Sequence, residues 1–281
     1  MVCIYLIIVF NVDRRKGEID MKPFKVLSID FDYFVAATSQ EKWEFPDPNE
    51  NLGIDLNTQL WMNRYSQWRY SAKSNNTRLL TDVSVSPAYG QVVKYLKSLS
   101  TVSKVYVTNS HALIYNFLEH IKSPIKLLNL DDHSDFYGIG AELNCGNWGN
   151  LLFDLLKEQN LLKDSEINWV HNLDSFNKAE FTENYQKYSE LLTESYVLPK
   201  DLGNYLKSYF DEETPDMIYL CRSSCWVPPH LDYKFLEMSK VIINRSEYSK
   251  VESKVTVSRY TKEFKHGVSE YYKALKDLNS I

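Results

Sequence analysis

Three apolar runs of this chain end in carboxylate or imidazole side chains, and this pattern constrains the fold more than any other feature. The side chains that end the runs are Asp30, Asp32, His111, Asp131, His133 and Asp135. Short apolar runs are typical of strands buried in a parallel sheet, and open α/β sheets bind ligands beyond the carboxyl ends of their strands. The sequence therefore predicts an α/β fold, a three-layer sandwich with a mainly parallel sheet flanked by helices.

The residue types at the ends of these runs indicate a metal site. Side chains alternate along an extended segment, so Asp30 and Asp32 are expected to point the same way. The same alternation applies to Asp131, His133 and Asp135. Carboxylates mixed with imidazoles suit Mn(II), Fe(II), Co(II) or Zn(II), and the absence of cysteine from all three runs argues against a structural zinc site.

The density of negative charge indicates more than one metal ion. With Asp132 the runs contain five carboxylates, which would repel one another without a cation between them. Two divalent cations would neutralise most of this charge and could share a bridging water that becomes hydroxide near neutral pH. The sequence therefore predicts a two-metal site.

Two segments carry a resemblance to a known family. Residues 131–135, DDHSD, are similar to the Asp-x-His-x-Asp signature of the ureohydrolase superfamily of arginases and agmatinases, and residues 28–32, SIDFD, resemble its Ser-x-Asp-x-Asp strand. His111 follows a predicted strand, as the lone histidine ligand of that family does. The resemblance covers roughly residues 24–150. It implies two Mn(II) ions, other divalent metals being possible, on six ligands: Asp30, Asp32, His111, Asp131, His133 and Asp135. It also implies a metal-bridging hydroxide held by Asp32, Asp131 and Asp135.

The order of the motifs refines the resemblance. In ordinary arginases the Ser-x-Asp-x-Asp strand comes last, whereas here it comes first. That order, together with the segments SIDFDYF and HALIYNFL, resembles the divergent branch that contains the peptide arginases, which convert arginine to ornithine inside ribosomally made peptides. The resemblance thus implies an arginase-like fold with permuted motif order, and an arginine-containing precursor peptide as partner.

A loop after the third run supplies candidate substrate contacts. Arginases have a Ser-Gly-Asn-x-His-Gly loop at similar spacing, where this chain reads CGNWG over residues 145–149. The resemblance makes Asn147 a candidate substrate contact, with Trp148 near the place of the missing histidine. His171, after a later predicted strand, is a third candidate, and it fits a satisfied interior histidine equally well. The acid that grips the guanidinium stays open among Glu44, Asp47, Asp55 and Glu142.

A phosphatase of the haloacid dehalogenase type is the main alternative. That class also begins with a strand ending in Asp-x-Asp, so Asp30 would be the phosphoryl nucleophile and Asp32 the general acid and base. Thr108 would end the second strand, and Asp131 with Asp132 would hold Mg(II). A hard Mg(II) site has little use for imidazole, so the two histidines favour the ureohydrolase interpretation. An arginase-fold enzyme for a free guanidino or amide substrate, or a silent binding protein on that fold, are further alternatives.

Composition and charge limit the class of protein that this chain can be. The 281 residues are 44% apolar and 25% charged, with a net charge of −5 and a pI near 5.7, which argues against a nucleic-acid binder. Four cysteines are too few for a disulfide scaffold, so a reduced cytoplasm is expected. Residues 21–281 are predicted to form one domain with an aromatic-rich insertion at about 39–87. The oligomeric state stays open.

The first twenty residues are predicted to stand apart from this domain. Residues 1–10 are apolar but too few to span a bilayer, and basic residues follow them rather than precede them, unlike a signal peptide. Met21 opens directly onto the first strand, which favours translation from Met21 and makes residues 1–20 a non-native extension. A membrane anchor is the alternative, although no membrane partner is expected.

Periodicity predicts the remaining elements. Amphipathic patterns predict helices over residues 89–99, 112–121, 150–159 and 262–278. Apolar β-prone runs predict further strands over residues 167–171, 217–221 and 241–244.

Overall fold

A seven-stranded sheet forms the centre of the computed structural model, which describes residues 22–38, 41–42, 45–46, 57, 59–65, 67, 80–137, 142–173 and 192–252. The strands are β1 Phe24–Asp30, β2 Val102–Thr108, β3 Ile125–Asp131, β4 Glu166–His171, β5 Leu192–Tyr196, β6 Met217–Cys221 and β7 Ser246–Val251. Their order is β5-β4-β3-β1-β6-β2-β7, and every pairing is parallel. The predicted α/β fold with a parallel sheet is therefore confirmed.

Helices cover both faces of this sheet. Among the described residues they include α1 Pro87–Ser98, α2 Tyr115–Leu118, α3 Trp148–Glu158, α4 Leu202–Tyr209 and α5 Asp232–Ile243. Helices α1, α4 and α5 pack on the face that carries Leu27 and Ile29, whereas α2 and α3 pack on the face that carries Val26 and Leu127. Because both faces are covered, the central strands are buried on both sides and read as continuous apolar runs.

The chain connections create a crevice between β1 and β3. These two strands are neighbours, with Leu27 paired to Leu128. The chain leaves β1 toward β2 on one side of the sheet and leaves β3 toward β4 on the other. A parallel sheet binds ligands at such a switch point, outside the carboxyl ends of its strands. The fold therefore positions a site where Asp30 and Asp131 end their strands.

Several element predictions are corrected. The predicted strand at 241–244 lies at the end of α5, because Phe235, Met238 and Ile242 continue a helical apolar face against the core, and the strand β7 begins only at Ser246. The predicted helix at 112–121 is a short 3-10 turn, His111–Ile114, followed by one turn of α2. Strand β5 and helices α4 and α5 were not predicted.

Some predictions fall outside the described residues. These are the extension over residues 1–20, the helix over 262–278 and most of the insertion at 39–87. Within the described part of that insertion, residues 59–65 are helical and Trp61 is buried. No helix in the described ranges has the length and apolarity that a membrane crossing requires.

Candidate metal centre

The first two carboxylates are held at the end of β1. Asp30 ends the strand, and a 3-10 turn, Phe31–Phe34, follows at once, with the backbone N–H of Asp32 donating to Oδ1 of Asp30 at 3.3 Å. Both carboxylates are buried. The predicted convergence of Asp30 and Asp32 through strand alternation is therefore wrong in its cause, because Asp32 lies in the turn and not in the strand.

The third run ends in the same way. Strand β3 stops at Asp131, whose Oδ1 accepts the backbone N–H of His133 at 2.8 Å. Asp135 adopts a left-handed backbone with φ of 52°, which is unusual for a residue with a side chain. The indole of Trp169 on β4 donates to the carbonyl of His133 at 3.1 Å. A structured turn, and not extended backbone, thus presents these side chains.

Four of the predicted ligands meet in one group. The Nδ1 atom of His111 lies 3.0 Å from Oδ2 of Asp131 and 3.0 Å from Oδ2 of Asp135. Oδ2 of Asp30 lies 3.3 Å from the same nitrogen. The other ring nitrogen, Nε2, is 2.9 Å from the hydroxyl of Ser28, which fixes the orientation of the ring. His111 and Asp131 are almost completely buried.

A second group shares Asp131 with the first. Oδ2 of Asp32 lies 2.9 Å from Nδ1 of His133, and Oδ1 of Asp131 lies 3.9 Å from the same nitrogen. Within each of the triads Asp30–His111–Asp131 and Asp32–Asp131–His133, one ligand atom per residue lies within 4.8 Å of the others. Asp131 therefore offers one oxygen to each group, as a carboxylate between two cations does. All six predicted ligands are brought together.

The donor atoms are spaced as the ligands of a common divalent cation would be. Nδ1 of His111 and Oδ2 of Asp32 are buried and have no hydrogen-bond partner among the described residues, although other candidate ligand atoms lie about 3 Å away. Two atoms that bind one ion at about 2.1 Å and at right angles lie about 3 Å apart, so these separations are those expected of ligands to a common ion. Mixed carboxylate and imidazole donors suit Mn(II) and related metals.

The electrostatics of the centre show what a cation would replace. Burial, together with the charge of Asp32, raises the pKa of Asp30 to about 8 when no metal is bound. Burial and the charge of Asp135 raise the pKa of Asp131 to about 7. Burial alone would lower the pKa of His111 and of His133, but the surrounding carboxylates outweigh it and raise both well above the ordinary value. A metal ion that bound here would have to displace these protons.

Supporting side chains fix the ligands in turn. The indole Nε1 of Trp148, on the first turn of α3, donates to Oδ2 of Asp135 at 2.5 Å. The amide of Asn129 donates to Oδ2 of Asp131 at 3.1 Å. Ser223, which has φ of 52°, donates its hydroxyl to Oδ2 of Asp30 at 3.1 Å. Such partners set the direction of ligand lone pairs, and their loss weakens metal binding.

The three predicted substrate contacts are engaged with the protein itself. Asn147 uses both ends of its amide within its own loop, accepting from the Asn144 N–H and donating to the Glu142 carbonyl. Trp148 is fully buried and supports a ligand. His171 is buried at the end of β4, with Nε2 2.9 Å from Oε1 of Glu194, and no described residue hydrogen-bonds to its Nδ1. Their roles toward substrate stay predictions.

A further charged pair borders the second group and was missed by the sequence analysis. Nζ of Lys42 lies 2.5 Å from Oδ2 of Asp132, and the amide of Asn172 donates to Oδ1. The backbone N–H of Asp132 donates to Oδ1 of Asp32 at 3.4 Å. Burial would raise the pKa of Asp132, but the Lys42 ammonium and His133 outweigh it and hold the pKa below the ordinary value. Asp132 is therefore an ionised neighbour of the centre.

Of the four acids that could bind the guanidinium, the structure describes only one. Glu44, Asp47 and Asp55 lie outside the described residues. Glu142 is exposed, and its carbonyl closes the loop around Asn147.

Trp226 is a second neighbour of the centre that was not predicted, because nothing in its local sequence marks it. Its ring centroid lies 4.5 Å from that of His133.

Comparisons of this chain with protein-family models, with curated proteins and with solved structures found no match. Any function of this chain therefore has to be inferred from the geometry of the centre and from its motifs.

Proposed function

We propose that this chain is a binuclear metal-dependent hydrolase that cleaves the guanidinium group of arginine side chains within a peptide, giving ornithine and urea. The proposal of two metal ions is supported by the position of Asp131 in both ligand groups. The substrate part is supported by the resemblance of residues 28–32 and 131–135 to the ureohydrolase signatures, and by a motif order similar to that of peptide arginases.

The reaction is balanced without any further reactant. Water adds to the guanidinium carbon, and the bond from that carbon to the side-chain nitrogen breaks. The side-chain nitrogen becomes the ammonium group of ornithine, and the guanidinium carbon is released in urea. The single positive charge is therefore conserved. Two divalent ions on the six ligands would supply a water acidic enough to form hydroxide near neutral pH, and an electrostatic template for the guanidinium. The remaining task of the protein is to position the substrate.

The exposure of the ligands indicates the direction of approach. His133 has a side chain that is 26% exposed, whereas the other five ligands are almost completely buried. A substrate side chain therefore has to enter beside His133. Trp226 packs against this ring, and an indole face at such an entrance can hold a planar cation.

The phosphatase alternative is less consistent with the contacts. Oδ2 of Asp30, the nucleophile in that scheme, already accepts the hydroxyl of Ser223 and lies 3.3 Å from His111. The hydroxyl of Thr108, which would bind phosphate, contacts the Tyr219 hydroxyl and the Ser110 carbonyl. Two imidazoles also stand where Mg(II) would need oxygen ligands.

A urea assay on manganese-loaded protein tests the proposal. Free arginine, agmatine, an arginine-containing peptide and a phosphate ester are offered separately. Urea from the peptide alone supports the proposed substrate class. Urea from free arginine or agmatine would keep the hydrolase and replace the substrate, whereas phosphate release without urea would favour the phosphatase.

A further inference from the structure

The backbone of Lys42 is fixed at the edge of the metal centre. Thr38 and Glu41 form a capping box, in which the Thr38 N–H donates to Oε2 of Glu41 at 2.7 Å and the Glu41 N–H donates to the Thr38 hydroxyl at 3.2 Å. The Lys42 N–H donates to the Thr38 carbonyl, and its own carbonyl accepts from Phe45. Phe45 is buried against Trp61. This local structure points one lysine side chain at Asp132.

Within the described part of the chain, the ammonium of Lys42 has a single partner. Among the described residues, Asp132 is the only group that accepts a hydrogen bond from Nζ, although an ammonium has three donors. The two side chains are 15% and 7% exposed, so the pair is largely shielded from water. A lysine on a flexible stem can leave such a position without any change in the backbone.

Asp132 carries a negative charge in addition to the charges of the four proposed ligand carboxylates. The ligand carboxylates are Asp30, Asp32, Asp131 and Asp135, and two divalent ions would balance their four negative charges. Asp132 is a fifth carboxylate beside them, and within the described part of the chain Lys42 is the one side chain that forms a salt bridge with it. When Lys42 leaves, Asp132 loses this salt bridge, and a cation from the substrate would replace it.

We propose that Asp132 is the acid that receives the cationic side chain of the substrate, and that Lys42 is a resident cation which the substrate displaces. This inference rests on the proposed function, since it concerns the substrate of the same site. A carboxylate has about four acceptor positions, so Asp132 accepts a substrate cation while Asn172 keeps its bond to Oδ1. The exchange of one cation for another keeps the buried charge compensated throughout.

Competition with Lys42 should weaken the binding of a substrate cation by a measurable factor. A ligand that needs a binding-competent state populated in only a fraction of the molecules binds more weakly by that fraction. If Lys42 occupies Asp132 in about nine molecules of ten, its removal tightens the binding of a cation about tenfold. A guanidinium at position 42 would hold the carboxylate more firmly than an ammonium does, because its planar fork matches the carboxylate. Lys42→Met and Lys42→Arg should therefore change affinity in opposite directions.

Binding of N-acetyl-lysine amide to the manganese-loaded protein, measured by calorimetry, tests this inference. The probe carries a cation but no guanidinium carbon, so it cannot be hydrolysed and its binding is read independently of urea release. N-acetyl-norleucine amide is the neutral control of similar shape. The proteins compared are the natural chain, Lys42→Met, Lys42→Arg and Asp132→Asn, each at the same manganese content by elemental analysis.

The expected results separate a resident cation from a structural ion pair. N-acetyl-lysine amide should bind about tenfold more tightly to Lys42→Met than to the natural chain. It should bind more weakly to Lys42→Arg and to Asp132→Asn than to the natural chain. The binding of N-acetyl-norleucine amide should be the same for all four proteins. Equal or weaker binding to Lys42→Met would overturn the inference. If Lys42→Met does not fold, unchanged binding in Lys42→Arg and Asp132→Asn would overturn it as well. Failure of urea release, by contrast, would remove the proposed reaction and leave these binding results standing.

Discussion

Oδ2 of Asp131 lies 3.0 Å from Nδ1 of His111, and both side chains are almost completely buried. The other oxygen of the same carboxylate faces His133, at 3.9 Å. A buried carboxylate between two imidazoles that belong to different ligand groups is the arrangement expected where two cations share a bridging ligand.

Loss of a partly exposed ligand should remove metal and activity together. His133→Ala deletes one nitrogen of the second group, so manganese content should fall and urea release should drop by more than about 100-fold, beyond the loss typical of supporting residues. His120→Ala is the matched control, because the His120 side chain is 79% exposed. Elemental analysis and the peptide assay check both variants. Full urea release from His133→Ala would show that the ligand assignment is wrong.

Loss of one supporting hydrogen bond should weaken metal binding without removing the site. Trp148→Phe keeps most of the buried ring and deletes the N–H that donates to Asp135. Manganese affinity should fall about 10- to 100-fold, as is typical when a partner of a metal ligand is lost. The control, Phe153→Leu, changes the same apolar cluster and should lower thermal stability only. Equal manganese affinities for Trp148→Phe and the natural chain would contradict the positioning role of Trp148.

Stability and metal affinity should respond to pH in opposite directions. Without metal the pKa values of Asp30 and Asp131 are about 8 and about 7, above the ordinary value of about 3.9 in an unfolded chain. The folded protein therefore binds these protons more tightly, so their contribution to stability is complete below about pH 4 and is lost as the pH rises through about 7 to 8. Manganese competes with the same protons, so its affinity should rise over that interval.

Denaturant unfolding of the chelator-treated protein and manganese titrations, both between pH 5 and pH 8.5, check this prediction. The decline of stability with pH should be smaller in Asp30→Asn, which cannot lose a proton. Manganese affinity that stays constant over this range in the natural chain would contradict the account of the centre.

The ion pair between Arg222 and Asp232 should matter for stability through its burial. Nε of Arg222 donates to Oδ1 of Asp232, and its Nη2 donates to both carboxylate oxygens. Arg222→Met leaves a buried carboxylate without a partner, and the free energy of unfolding should fall by about 3–5 kcal/mol. The double variant Arg222→Met, Asp232→Leu should recover most of that loss, because no charge is then left unpaired. A double variant as unstable as the single one would contradict this explanation.

The sequence predicted the sheet and the convergence of the six proposed ligand residues, because both depend on local patterns. Buried parallel strands are continuous apolar runs, so β1, β3 and β6 could be located from their residues alone. The six proposed ligands lie at or just after the ends of β1, β2 and β3, and parallel strands end at one edge. Their convergence was therefore predictable, although alternation along a strand was the wrong reason for it.

The missed features depend on tertiary contacts. The apolar residues Val241, Ile242 and Ile243 are β-prone, and only their packing in α5 against the core explains why they are helical. Lys42 meets Asp132 across 90 residues of sequence. The one local signal was the pattern Thr38-x-x-Glu41, which predicts a helix start just before Lys42 but not the partner of its side chain. Trp226 likewise reaches the centre only through the fold.

Two metal ions that share Asp131 would bind to each chain, so the number of manganese ions bound per chain is the decisive measurement. Titration of chelator-treated protein, with elemental analysis after removal of excess metal, should give about two manganese per natural chain. Asp131→Asn should retain close to none, because both groups lose a ligand. One manganese or fewer in the natural chain, or two retained in a folded Asp131→Asn, would contradict the claim.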